Sequence, residues 1–146
     1  MKYLGLDYGS KTVGVAVTDA TGTVIREVEI VRRQKEKALR RTCARIEEIV
    51  SAEKAELIVI GLPLNMDGSK GERAEKAIAF GEMIARRTGL PVRFQDERLT
   101  TVEAEEIMDD EDLRDKKDRK QHVDSVAAAV ILGDFLNSGK TPGIKV

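Results

Sequence analysis

Between Tyr3 and Val31 the chain alternates apolar, β-branched runs with short clusters of turn residues, and this pattern constrains the architecture more than any other feature. The runs are Tyr3 to Leu6, Val13 to Val17 and Val24 to Val31, separated by "DYGSKT" and "TDATGT". Runs of this length and composition predict strands, and connections this short predict antiparallel neighbours, so the opening reads as a three-stranded meander. The period then changes. In "QKEKALRRTCARIEEIVSAEK", Leu39, Cys43, Ile46 and Val50 recur at i, i+4, i+7 and i+11, one face of an amphipathic helix. "ELIVIGLP" reads as a short buried strand ended by Gly61 and Pro63. Past the loop "LNMDGSKG", Ala74, Ala77, Ile78, Gly81 and Ile84 predict a second helix, stopped by Gly89 and Pro91. "VRFQ" is a fifth strand, and "TTVE" from Thr100 to Glu103 is a capping box that announces another helix. The stretch "DDEDLRDKKDRKQ", residues 109 to 121, has Leu113 as its one apolar residue; with so little to bury against the entropy of ordering, it reads as a mobile loop. "VDSVAAAVILGDFL" is the last helix, closed by Gly139.

Strands joined by hairpins, followed by alternating strands and helices, describe an α/β fold: a five-stranded mixed sheet, three antiparallel strands then two parallel ones, with helices on its faces. The 146 residues suit one domain, expected over 1–138 with a tail at 139–146. The 25 Lys and Arg nearly balance 26 Asp and Glu, so no overall positive field advertises a nucleic-acid partner, and any such partner would have to use a local basic surface. The single cysteine, Cys43, rules out an internal disulfide framework or a cysteine metal cluster. No apolar run is long enough to cross a bilayer and no signal-peptide pattern opens the chain, so the expectation is a cytoplasmic protein without a membrane partner.

If strands four and five run parallel to strand one, three loops meet at one edge of the sheet, where open α/β sheets hold their ligands. Asp7 ends strand one there, and Glu97 follows strand five. Asp124 shares a helical stripe with Ala127, Ala128, Ile131 and Phe135, which turns it inward. Taken singly, each has a plain structural reading: a hairpin-turn aspartate, a glutamate paired with Arg98, a helix-start aspartate. Taken together, three carboxylates aimed at one place want a cation, and a hard divalent metal beside glycine-rich loops suits phosphodiester chemistry.

The segments "LGLDYGSKTVGVAVTD", "GLPLNMDGS", "DERLTT" and "VDSVAAAVIL" resemble, in order, the four motifs of the YqgF family, also called RuvX. The resemblance spans nearly the whole chain. It implies an RNase H-like fold with helices on both faces of the sheet, and an acidic triad that falls on Asp7, Glu97 and Asp124 as catalytic residues and metal ligands. It also implies a metal-dependent endonuclease acting on structured nucleic acid with Mg²⁺ or Mn²⁺, two ions in all. The favoured substrate is the 5′ end of pre-16S rRNA; a Holliday junction resolvase is the alternative. In this reading Asp7 bridges the ions, while Glu97 and Asp124 each complete one coordination sphere.

Contacts to the substrate are expected from Gly9, Ser10 and Lys11, where glycine lets a phosphate approach the backbone. Arg98, in the loop after strand five, and Asn65 and Arg73, on or just after the loop beyond strand four, are further candidates, as are Lys117, Arg119 and Lys120 before Asp124. Arg32, Arg33, Lys35, Lys37, Arg40 and Arg41 form a second basic stretch, which supplies a local positive face. With no Trp and two Tyr, base stacking is poorly supported, so recognition would run through backbone and shape. Two rivals remain. "LGLDYGS" also resembles the phosphate hairpin of the actin, Hsp70 and sugar kinase superfamily, although a chain this short lacks the second lobe of that cleft unless a dimer provides it. A non-catalytic nucleic-acid or ribosome-assembly module is the other. The expected assembly is a monomer or a homodimer.

Overall fold

The computed structural model describes residues 1–98 and 116–138, with the backbone alone over 116–125. Its elements are β1 (Tyr3–Tyr8), β2 (Thr12–Thr18), β3 (Ile25–Arg32), α1 (Leu39–Glu53), β4 (Leu57–Leu62), α2 (Glu72–Thr88), β5 (Val92–Asp96) and α3 (Lys116–Asn137). Two tight turns build the meander. The Gly9 N–H donates to the Thr12 carbonyl at 2.8 Å, and a Cβ on Gly9 would stand 3.1 Å from that same oxygen, so a side chain there would require the first turn to give by a few tenths of an ångström. In the second, the Asp19 carboxylate accepts from the backbone of Thr23 and Val24, and Gly22 takes the left-handed conformation at φ 73°.

The strand order is β3-β2-β1-β4-β5. β1 is antiparallel to β2, and β2 to β3, whereas β1 and β4, and β4 and β5, are parallel. This is the mixed sheet that the sequence predicts, and it puts β1 at the centre. Alternation along the strands then divides the apolar residues between two faces. Leu4, Leu6, Val15, Ile58, Ile60, Leu62 and Phe94 pack with Cys43 and Ile46 of α1 and with Phe80 and Ile84 of α2. On the other face Tyr3, Ala16 and Val59 pack with Ala128, Ile131, Leu132 and Phe135 of α3. Small residues bring α3 very close to the sheet: a Cβ on Gly5 would lie 2.5 Å from Leu132 Cγ.

β1 runs through Asp7, which pairs with Gly14, so the aspartate lies at the end of the strand as expected and not in the turn. One reading of the sequence changes. The last helix begins at Lys116, so 116–121 are helical although the charged composition predicts a loop. Lys, Arg and Gln are good helix formers, and extending a helix already anchored at Val126 to Phe135 needs no new nucleus. Residues 109–115, the capping box at Thr100 and the tail at 139–146 lie outside the described residues. Among the described residues no helix is long and apolar enough to cross a membrane.

Candidate active site

Asp7 shares the α3 face of β1 with Tyr3 and Gly5, because Leu4 and Leu6 point the other way. The β1–β4 register pairs Leu6 with Ile60, which brings Asp7 alongside Gly61. On the far side, Gly61 is paired with Gln95 and Leu62 with Asp96, and the Glu97 N–H extends that ladder by donating to the Leu62 carbonyl at 3.0 Å. Asp7 and Glu97 therefore stand on either side of β4. Their strands are two sheet intervals apart, about 10 Å at the usual strand spacing. Between them Gly61 presents no side chain.

These residues line a cavity of about 150 Å³, walled by Asp7, Tyr8, Gly61, Pro63, Leu64, Arg73, Glu97, Arg98, Ala127 and Ile131. Asp7 and Glu97 are half-buried, and the Oε1 atom of Glu97 is shielded from solvent. Gly61 is what allows the arrangement: a Cβ there would lie 2.5 Å from Ile131 Cδ1 and 3.4 Å from Glu97 Cγ. By sequence alone this glycine reads as the end of a strand. A glycine inside an apolar run is also the signal of a close approach, and that is its role within β4.

The third wall comes from α3. Phe135 meets Tyr3 edge-on at 5.7 Å, Leu132 covers Gly5, Ile131 covers Gly61 and Ala127 reaches the cavity, so the helix runs opposite to β1 with its N-terminal half toward the carboxylates. Asp124 precedes Ala127 by three residues, about 4.5 Å farther along the axis. The side chains of Asp124, Lys117, Arg119 and Lys120 lie outside the described residues. Among the described residues no three His, Cys, Asp or Glu side chains form a metal-binding group. The two described carboxylates at the cavity are hard oxygen donors, which suit Mg²⁺ or Mn²⁺ and not a soft metal.

The other expected contacts separate into groups. Arg73, exposed at the start of α2, lines both the acidic cavity and an adjoining cavity of about 250 Å³ that includes Gly9 and Ser10. Arg98 also borders the acidic cavity, but its guanidinium grips both Asp96 oxygens through Nε, at 3.1 and 3.2 Å, and donates to the Met66 carbonyl at 3.0 Å. It thereby ties the loop after β4 to the end of β5. Asn65 serves that loop as well, donating to Ser69 Oγ at 3.0 Å. The Gly9 amide is engaged by Thr12, which leaves Ser10 and Lys11 at the exposed tip of the turn.

One residue at the site was hidden in a run of similar ones. Arg33 is buried, donates through Nη2 to the Gly9 carbonyl at 2.6 Å, and lies 4.9 Å over the Tyr8 ring, itself stacked on Phe80 at 4.6 Å. It fixes the turn that follows Asp7. Nothing in the sequence marks it out from Arg32, Lys35 or Arg40.

A family model described as RuvX, Holliday junction resolvase, matches residues 1–138. The chain belongs to the RuvX family. Among curated relatives, a protein of Agathobacter rectalis is 52% identical over 137 residues, covering 94% of this chain and 95% of its own, and bears the name "Putative pre-16S rRNA nuclease". A protein of Leuconostoc citreum with the same name is 45% identical over 141 residues, covering 94% and 96% of the two chains. Among solved structures, Thermus thermophilus RuvC in complex with a Holliday junction substrate superposes with a TM-score of 0.63 at 17% identity, covering 99% of both chains. The fowlpox virus Holliday junction resolvase gives a TM-score of 0.55 at 16% identity, covering 97% of this chain and 100% of its own. RuvX membership thus comes with an RNase H-like fold, as the motifs imply.

Proposed function

We propose that the chain is a metal-dependent endonuclease that hydrolyses phosphodiester bonds in structured nucleic acid, with the 5′ end of pre-16S rRNA as its substrate. The observation that carries this reading is the placement of Asp7 and Glu97 on one cavity across Gly61, with Arg73 and Arg98 at its margin. The names of the relatives at 45–52% identity favour the rRNA substrate. The description of the family model favours a four-way DNA junction as the second reading.

In the proposed site Asp7, Glu97 and Asp124 hold divalent cations, Mg²⁺ or Mn²⁺. A bound ion of this kind polarises the scissile phosphate and lowers the pKa of the attacking water. Arg73, exposed beside the cavity, sets a positive charge against the substrate backbone. Arg98 contributes its charge while keeping the loop in place through Asp96. The apolar wall of Leu64, Ala127 and Ile131 limits water at the carboxylates.

The test is cleavage of labelled RNA spanning a pre-16S 5′ end and of a labelled four-way junction, with Mg²⁺, Mn²⁺ or chelator, by the wild type, Asp7→Asn and Glu97→Gln. Loss of a metal-holding group worth about 4 kcal/mol corresponds to about a thousandfold fall in rate. The expected result is metal-dependent cutting reduced by that order in both variants. Activity undiminished in Asp7→Asn would overturn the assignment, and the preferred substrate decides between the two readings.

A further inference from the structure

Beside the acidic cavity runs a larger groove of about 930 Å³, lined by Lys11, Arg32, Arg33, Lys35, Arg40 and Arg41 among others. We infer that this groove, built by Lys11, Arg32, Lys35, Arg40 and Arg41, is a second phosphodiester-backbone site that holds the nucleic acid on one flank of the cavity. The identity of the ligand rests on the nuclease reading above; the groove itself stands on four separate observations.

The first is charge. Lys11, Arg32, Lys35, Arg40 and Arg41 are all exposed, and none forms an ion pair among the described residues. Elsewhere Arg26, Arg45, Lys76, Arg87 and Arg98 each find a carboxylate, and the bases outside the groove that form no ion pair among the described residues, such as Lys54, Lys70 and Arg86, do not share its lining, whereas the groove's five do. Glu36, the one acid between Arg32 and Arg41, is drawn to Lys76 at 2.8 Å. In a chain with slightly more acids than bases, a groove with no acid among its lining residues is a departure that wants an external anion.

The second is α1. Its first turn has no acidic residue and no side-chain cap, and it carries Arg40 and Arg41 at the end where the helix dipole disfavours cations. An anion seated there would offset both costs. The third is Arg33, 8% exposed, which lines the same groove and whose buried Nη1 has no hydrogen-bond partner among the described residues. The fourth is position. Thr12 pairs with Arg32, so the groove opens at the sheet edge where β1 ends, two strands from β1 on the side away from Glu97. The offset within the sheet is about 10 Å, and because α1 packs on the Leu4 and Leu6 face while Asp7 lies on the α3 face, the path between cavity and groove passes over the end of the sheet. A backbone lying in the cavity continues over Ser10 and Lys11 into the groove.

The experiment measures binding of the full-length chain, in an Asp7→Asn background that prevents turnover, to an RNA hairpin and a DNA duplex across a range of salt. Arg40→Gln with Arg41→Gln is compared with Lys54→Gln and Arg86→Gln, which remove equal charge from exposed positions at the opposite ends of α1 and α2. The groove pair is expected to weaken binding about tenfold or more and to lower the slope of log K against log salt by about two, whichever nucleic acid is used. Equal losses in the two pairs, or none in the groove pair, would overturn the groove. So would displacement of the nucleic acid by millimolar inorganic phosphate, which would make it a small-anion pocket. Binding with the expected pattern by a wild-type chain that cuts nothing would retain the groove and sink the nuclease reading; Asp7-dependent cutting with an unaffected groove pair would do the reverse.

Discussion

At Gly61 the absence of one methyl group decides how the cavity is made. Ile131 Cδ1 lies 2.5 Å from the place where a Cβ would sit, and Glu97 Cγ 3.4 Å from it. Gly61→Ala is expected to cost about 1–3 kcal/mol through overpacking, and to reduce any activity as α3 and Glu97 are pushed aside. Because the clash is with the tip of Ile131, Ile131→Val should relieve part of it. In thermal or denaturant melts the double variant should lose less stability than the sum of the two single losses, by about 0.5 kcal/mol or more. Strict additivity would show that Gly61 is needed for another reason. The candidate carboxylates were legible in the sequence because an acid interrupting an apolar run, or lying on an apolar helical stripe, is costly without a purpose. Gly61 and Arg33 were not: one resembled a strand terminator, the other a member of a solvated basic run, and only the packing distinguishes them.

Among the elements, β3 and α1 are joined by a polar clasp. Arg45 of α1 grips both carboxylate oxygens of Glu29, at 2.6 and 2.9 Å. The hydrogen bonds from Arg45 hold the Glu29 carboxyl below its ordinary 4.5. A carboxyl with a depressed folded-state pKa stabilises the fold above its ordinary pKa, and that contribution disappears as pH falls through the lower, folded value. Both partners are partly exposed, 43% for Arg45 and 31% for Glu29, so the effect is about 0.5 kcal/mol. Glu29→Gln is therefore expected to be slightly less stable than the wild type at pH 7 and to lose less stability between pH 5 and pH 3. Parallel melts at these values check it; identical pH profiles would show that the clasp contributes nothing. The strands and the first two helices were legible to within a few residues, since period two and period 3.6 follow from burial on one side. The start of α3 was not, because a helix extended from an anchored segment leaves no apolar period in its polar turns.

For the molecule as a whole, the sheet carries the stability and its edges do not. β2 is buried along its whole length and β1 and β4 are largely buried, while β3 exposes Arg26, Glu27 and Arg32 on an edge. Hydrogen exchange in the native state should therefore be slowest in β1, β2 and β4, approaching the free energy of global unfolding, and faster in β3 and β5. Equal protection in β3 would show the edge to be as cooperative as the centre. Charge is distributed unevenly too: a near-neutral total conceals a groove lined by bases with no acid, at the same end of the sheet as a cavity where two carboxylates meet two arginines.

The cavity draws its floor from β1 and β4 and its third wall from α3, which follows them in the chain. Synthesis runs from the N-terminus, so a nascent chain can pair β1 with β2, and later with β4, well before Ala127 and Ile131 exist to cover Gly61. Until they arrive, Asp7 lies on an open sheet face washed by water. A partly made chain still on its ribosome thus has Asp7 and Glu97 without the enclosure or the residues of α3, and the order of synthesis itself withholds the assembled cavity until α3 has emerged.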